Sequence, residues 1–256
     1  MKKNPQTAAC LLIGDELLSG RTRDANANTL AKALYAKGIE LIEVRIVPDE
    51  HKTIGNALID LKVKADIVIT SGGIGPTHDD ITADAVSAAL GRKTVEHDGA
   101  MKILKAHYAA KDEEVTDARR RMARMPKDAE LIANSVSGAP GFRVENVYVL
   151  AGVPAIFDAM LEEVLAAVPD GEPETVYHVT GEAKESDLAD GLRDLETALK
   201  GLKIGSYPGP TGKGGPLTIV CRSRSASVCE QAALAVKALF TAQGKEAEIG
   251  QGDRPA

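Results

Sequence analysis

The sequence predicts an α/β protein: a mainly parallel sheet covered by helices on both faces, followed by a second, smaller α/β domain. Three observations carry that prediction. Apolar, β-branched runs alternate with amphipathic helical stretches through the first 90 residues, the pattern of strands joined by crossover helices. Hydrophobic residues make up 44% and charged residues 27%, the balance of an ordinary globular chain. A turn-rich stretch, PDGEPE at 169–174, then separates a first domain over 1–170 from a second over 171–256.

Each element follows from its local pattern. TAACLLIG (7–14) reads as a buried strand, and NANTLAKALYAKG (26–38) as a helix with Leu30, Ala31 and Leu34 on one face and Gly38 as its stop. IELIEVRIV (39–47) is a strand, 50–64 a helix, ADIVITS a third strand, and 79–90 a helix ending at Gly91. A charge-rich stretch over about 98–125 reads as helix, with Val115, Ala118, Met122 and Met125 on one stripe. AELIANSVSGAPGF and FRVENVYVLAG read as short strands, the second turning at Glu145-Asn146, and VPAIFDAMLEEVLAAV closes the domain as a helix. In the second domain TVYHVTG, LKIGSYPG and GPLTIVCRS read as strands, 184–199 and 225–243 as helices, and GQGDRPA as a frayed tail.

Composition excludes several function classes. A formal net charge of −6 removes the basis for general nucleic-acid binding, which needs basic patches to neutralise phosphates. Cys10, Cys221 and Cys229 form no CxxC pair and read as reduced thiols of a cytoplasmic protein. The N-terminal apolar run breaks at Gly14 and Asp15, too short for a signal peptide, and no run of about 18 apolar residues exists to span a membrane.

The strand ends carry the chemistry. In a parallel sheet every strand's C-terminal end reaches the same edge, where such folds bind ligands. The first three strands end in IGDELLSG, VPDE and SGGIGPTHDD, which bring Asp15 and Glu16, Asp49 and Glu50, and Asp79 and Asp80 to that edge. Gly72, Gly73 and Gly75 permit positive φ and close approach, so successive backbone amides can face one oxyanion. Carboxylates beside such amides repel a bare phosphate unless a divalent cation sits between them, a role that suits Mg²⁺. Taken alone, the turn is equally a tight connection, with Thr77 and Asp80 as a capping box. No Lys-Ser or Lys-Thr follows it, and Lys213 is followed by Gly214, so it is not a P-loop; His78 stands where a dinucleotide fingerprint has its third glycine.

IGDELLSG, DAN, VPDE, SGGIGPTHDDIT, NSVSGAPGF and AGVPAIF occur in an order and spacing that resemble the N-terminal domain of the competence/damage-inducible CinA family. TGEAKESDLADGLRDL and KIGSYPG are similar to that family's small domain, so the likeness spans nearly the whole chain. The family is similar in turn to the molybdopterin-binding (MoaB- and Mog-like) domain and to a domain attached to some FAD synthases. The resemblance implies a three-layer α/β/α fold that binds a phosphate-bearing pterin, molybdopterin included, or a nucleotide, and that self-associates. It implies, for some members, divalent-metal-dependent hydrolysis of ADP-ribose or FAD pyrophosphate. A non-catalytic binding module and an adenylyltransferase-like enzyme are the alternatives.

Carried onto this sequence, the resemblance and the turn chemistry together assign catalysis to Asp49, Asp79 and Asp80 and the metal to Asp49 and Asp80. Ligand contacts are expected from Gly14, Asp15, Glu16, Asn26, Ser71, Gly72, Gly73, Ile74, Gly75, Pro76 and Thr77, and from Asn134, Gly138, Pro140 and Gly141. The chain departs from the family where Pro-Gly-Val-Pro is followed by an acidic residue and Met: here the stretch is Ala151-Gly152-Val153-Pro154-Ala155-Ile156-Phe157. Deamidation of a nicotinamide nucleotide, the work of a further domain in long members, is not expected of these 256 residues. Arg120, Arg121 and Arg124 read as a solvated face rather than a phosphate clamp, His78 as polar surface, and Ser19 has no base partner in sequence.

Overall fold

The computed structural model describes residues 6–209 and 216–252; the turn around Lys213, the first five residues and the last four of GQGDRPA lie outside them. The chain divides into two compact units, one ending at Gly171 and the other beginning at Glu172.

The first unit runs β1 (Thr7–Ile13), α1 (Asp15–Leu18), α2 (Asn26–Ala36), β2 (Glu40–Val47), α3 (His51–Lys64), β3 (Ile67–Ser71), α4 (Thr82–Ala89), β4 (Thr94–Glu96), α5 (Asp98–Ala109), α6 (Asp117–Arg120), β5 (Arg124–Pro126), β6 (Glu130–Ile132), β7 (Gly141–Val144), β8 (Val147–Leu150) and α7 (Pro154–Ala167). Its main sheet has the order β2-β1-β3-β8-β7-β6, with β2, β1, β3 and β8 parallel, β7 antiparallel to β8, and β6 antiparallel to β7. Because successive side chains alternate across a strand, β1 sends Ala9, Leu11 and Ile13 to one face and Ala8, Cys10 and Leu12 to the other. The first face packs on Ile54, Leu58 and Leu61 of α3, Val86 of α4 and Leu104 of α5. The second packs on Leu30 and Leu34 of α2 and on Phe157, Leu161 and Val164 of α7. Helix–sheet–helix layering is therefore written into the period of each element.

Two ties set the register at the edge remote from the ligand-binding end. Asp66 accepts from the backbone amides of Gln6 and Thr7 and from the Thr7 hydroxyl, pinning the start of β1 beside β3. Between β7 and β8, Glu145 turns at φ 55, and the Asn146 amide donates to the carbonyls of Ala65 and Asp66.

The stretch expected as one helix over 98–125 is broken. α5 ends at Ala109, Asp112 adopts φ 58, Thr116 caps α6 by accepting from the Arg119 amide, and a 3-10 turn over Arg121–Ala123 leads into β5. Met125 lies in β5, so the supposed four-residue helical stripe does not form. The helix expected from residue 79 begins only at Thr82.

The second unit runs β9 (Thr175–Gly181), α8 (Glu185–Ala198), β10 (Lys203–Tyr207), β11 (Leu217–Ser223), α9 (Ala226–Ala242) and β12 (Ala247–Gln251). Its sheet, β10-β11-β9-β12, is antiparallel throughout. Leu188 and Leu192 of α8 and Cys229, Val236 and Phe240 of α9 cover it. Gly250 and Gln251, expected in a frayed tail, are in β12. Among the described residues no helix is long and apolar enough to cross a membrane.

Phe142 is fully buried between the sheet and α5 side of the first unit. Phe142→Ala is expected to destabilise that unit by about 3–5 kcal/mol, read as a lower midpoint in urea unfolding followed by far-UV circular dichroism; an unchanged midpoint would contradict the packing described.

Candidate functional site

The site forms where the parallel strands end. β1 lies between β2 and β3, so the chain leaves β1 to one side and returns on the other, opening a crevice between β1 and β3 of the kind where open α/β sheets take ligands. Gly72 sits in that crevice at φ 109, and a Cβ there would meet the Ile13 carbonyl oxygen at 2.2 Å. Gly73 follows at φ 69, where a Cβ would meet Thr82 Oγ1 at 2.1 Å, and its carbonyl accepts from the Thr82 amide at 3.0 Å. Only glycine satisfies both the backbone angle and the space at these two positions. Gly75 is different: its φ is not positive, and a Cβ there would press on the Asp80 carboxylate at 2.6 Å.

The amides of this turn divide into two groups. Gly72 donates to the Leu150 carbonyl at 3.1 Å and is spent on the fold. Among the described residues, the amides of Gly73, Ile74 and Gly75 donate to no protein group. The expected anion-binding amides therefore begin one residue later than Gly72.

A cleft of about 610 Å³ opens over the turn, within the range of small-molecule sites. Gly14, Glu16, Asp49, Gly72, Gly73, Ile74, Gly75, Pro76, Asp79, Asp80 and Asn134 of the expected set line it. Four of them are carboxylates, and none of the lining residues is a lysine, arginine or histidine; His78, outside the lining, has Nδ1 3.8 Å from Asp79 Oδ1. On the apolar side stand Met122, Val153, Ile156 and Met160.

Backbone amides hold two of the carboxylates in place. The Asp15 amide donates to Asp49 Oδ2 at 3.0 Å, which brings the ends of β1 and β2 together. Burial pushes the Asp49 carboxyl above the ordinary aspartate range; the Asp15 amide opposes that, and the charges of Asp15, Glu16 and Asp79 add to it. Asp80 Oδ2 accepts from the Thr77 amide at 2.8 Å and from the Thr77 hydroxyl. That pairing is one half of the expected capping box, because the Thr77 hydroxyl donates to the carboxylate and does not accept from the Asp80 amide, and it closes a free-standing turn ahead of α4 instead of capping the helix. Asp79, at the tip, is held below the ordinary range, first by the nearby Thr77 hydroxyl, then by its own backbone amide and by His78.

Other expected residues take structural places. Asn26 Nδ2 donates to Ser71 Oγ and to the Gly152 carbonyl, both at 2.8 Å, and these residues line a small recess beside the cleft. Asn26 Oδ1 is buried without a protein partner. Asn134 spends its whole amide on its own loop: Nδ2 donates to Ser137 Oγ and the Ala139 carbonyl, and Oδ1 accepts from the amides of Val136 and Ser137. Pro140 lines a narrow cleft on the other side of the turn. Gly138 and Gly141 are not among the residues lining the main cleft: Gly138 packs on the His107 ring, and Gly141 lies within β7, against the Val149 carbonyl. Asp15 and Thr77 contribute to the cleft through bonds to Asp49 and Asp80.

Arg120 and Arg124 are exposed, as expected, but Arg121 is half-buried. Arg121 donates from Nε to the Thr77 carbonyl at 3.1 Å and from Nη2 to the Asp80 carbonyl at 3.4 Å, gripping both ends of the acidic turn. Arg120 pairs with Glu96, and Arg124 with Asp84. Arg121 and the apolar wall at Val153 and Ile156 were missed as site residues. Nothing in the local pattern marks Arg121, because its partners are backbone carbonyls some 41 and 44 residues away.

The family described as probable molybdopterin binding domain matches residues 9–170. A protein of Aeropyrum pernix is 35% identical over 98% of this chain and 97% of its own, and one of Pyrobaculum calidifontis is 35% identical over 91% and 92%. The structure of CinA, of unknown function, from Thermoplasma acidophilum aligns with a TM-score of 0.59 and 29% identity over 64% of this chain and 99% of that one. The chain belongs to the CinA-type molybdopterin-binding-domain family. The family match ends with α7, so the cleft lies wholly within the molybdopterin-binding domain of this CinA-type chain.

Asp49 holds its proton more tightly in the fold than in the unfolded chain. Its contribution to stability is therefore complete below the ordinary value of 3.8 and is lost as pH rises through the raised one. In metal-free buffer Asp49→Asn is expected to melt above wild type at neutral pH, with the gap closing below pH 3.8. Thermal melts at the two pH values check this; a gap independent of pH would contradict it.

Proposed function

We propose that this CinA-type protein binds a phosphate-bearing pterin or nucleotide in the β1/β3 crevice together with a divalent cation, and hydrolyses a pyrophosphate such as that of ADP-ribose or FAD. The observation that carries the reading is the acidity of the cleft: Glu16, Asp49, Asp79 and Asp80 line it together with Gly73, Ile74 and Gly75, whose amides are unengaged, and no basic residue is in that lining, Arg121 beside it being spent on the Thr77 and Asp80 carbonyls. Phosphate and those carboxylates are compatible only with a cation between them.

The residues fit such a cation in a particular way. Among the described residues no group of three or more His, Cys, Asp or Glu side chains is arranged to hold a metal ion. An all-protein cage is thus not the design, whereas Mg²⁺ is commonly held by one or two carboxylates, waters and the substrate's own phosphates. Asp49 and Asp80 are the proposed carboxylates, with Asp80 offering Oδ1 because Oδ2 closes its turn. Bound there, the ion would supply Lewis-acid polarisation of the phosphoryl oxygens.

The chain's own residues do the rest. Amides of Gly73, Ile74 and Gly75 hold phosphate oxygens, and the wall of Met122, Val153, Ile156 and Met160 takes the ring system and excludes water. Asp49 and Asp79 are pushed apart in acidity, one up and one down. With Asp49 and Asp80 on the cation, Asp79, which stays ionised, takes the proton of the attacking water. The three cysteines, free and buried, support a cytoplasmic setting.

A non-catalytic binding module is the second reading. It is favoured by Ile156, an apolar side chain on the cleft wall in the stretch where the family resemblance calls for an acidic group.

Incubation with ADP-ribose or FAD and Mg²⁺ or Mn²⁺ is expected to release mononucleotide products, abolished by chelator. Asp79→Asn should lower kcat/KM by about 10²-fold or more while ligand still binds, and Gly73→Val should abolish binding. Saturable binding without product under any metal would support the second reading instead.

A further inference from the structure

The main sheet ends at β2, whose outer edge pairs with no strand among the described residues. The direction of its backbone groups is fixed by two bonds. Glu40 donates its amide to the Gln6 carbonyl, and the Val47 carbonyl accepts from Gly14, both toward β1. Alternate residues of a strand direct their amide and carbonyl to alternate edges. With Ile42 as the extra residue where the β1 register shifts, Glu43, Arg45 and Val47 face β1. Val44 and Ile46 present theirs outward.

The side chains divide just as cleanly. Glu43 and Arg45 pair with each other and with Lys64 and Asp60 of α3, so Val44 and Ile46 stand on the opposite face. Ile42, Val44 and Ile46 are 41%, 43% and 41% exposed. A long edge strand carrying apolar side chains and unpaired backbone groups is a template for another strand, and stable proteins cover such edges.

The sequence of the edge names the occupant. Ile42-Glu43-Val44-Arg45-Ile46 reads the same in both directions except that its two charges are opposite. Antiparallel pairing with a second copy about a two-fold axis through Val44 sets Val44 on Val44, Ile42 on Ile46 and Glu43 on Arg45, twice over. A two-fold contact requires such self-complementarity, and opposite charges directly across an antiparallel pair are favourable where like charges repel. We propose that two copies of this chain join edge to edge through β2 in this register, making one continuous sheet.

The test uses the full chain, with mass read by light scattering and sedimentation over a range of concentrations. Wild type is expected at twice its 26.9 kDa chain mass. Val44→Pro removes an amide that points away from β1 and that the single chain does not use, and proline is tolerated at such edge positions. It should therefore keep the wild-type circular dichroism and be monomeric. Glu43→Arg and Arg45→Glu each oppose like charges in the proposed register and should each dissociate at least tenfold more readily than wild type. Mixed in equal amounts, they should form a heterodimer of restored stability. A wild type that stays at one chain mass, a dimer that survives Val44→Pro, or folded charge variants that fail to rescue one another would overturn the proposal.

Discussion

The Ile13 carbonyl lies where any Cβ at position 72 would have to go, and that close contact determines the geometry of the ligand-binding end. It brings the chain leaving β3 hard against the end of β1. The chain must then turn through Gly73 under the Thr82 side chain, and among the described residues the amides of Gly73, Ile74 and Gly75 have no protein acceptor. Asp49 arrives from the next strand end and is anchored by the Asp15 amide, while Arg121 and Thr77 hold the turn that carries Asp79 and Asp80. The charge arrangement thus follows from a backbone packing constraint, and Asp49 and Asp80 are kept in place despite the repulsion because each accepts from a backbone amide.

That repulsion gives the site its chemical character. Asp49 is half-desolvated among three other acids and has its acidity weakened, whereas Asp79, exposed at the tip of its turn, has it strengthened. Groups of one kind driven in opposite directions by their surroundings are a mark of functional sites. Membership of the CinA-type family agrees with a small-molecule site at this edge.

Much of this was legible in the sequence, for identifiable reasons. β1, β3 and β8 are short, apolar and buried on both faces, and α2, α3 and α7 carry apolar residues at helical spacing, so periodicity alone locates them. The strand-end turns could be placed on one edge because parallel strands leave no other choice. What failed depended on distant partners. The 98–125 stretch is helix-compatible throughout, yet a residue at positive φ and a Thr116 cap break it so that Arg121 can reach the acidic turn. Asn134 and Gly138 belong to a recognisable glycine-containing loop, but their bonding is internal, which composition does not reveal. β12 follows a helix in a glycine-rich tail and is a strand only because β9 offers it an edge.

The central claim is that phosphate and cation occupy the crevice together, each needing the other. Calorimetric titration of ADP into the protein, with and without saturating Mg²⁺, measures that coupling without requiring turnover. The account predicts that Mg²⁺ tightens ADP at least tenfold in wild type and not in Asp49→Asn, with ADP tightening Mg²⁺ by the same factor. ADP affinity that is the same with and without the metal would contradict it.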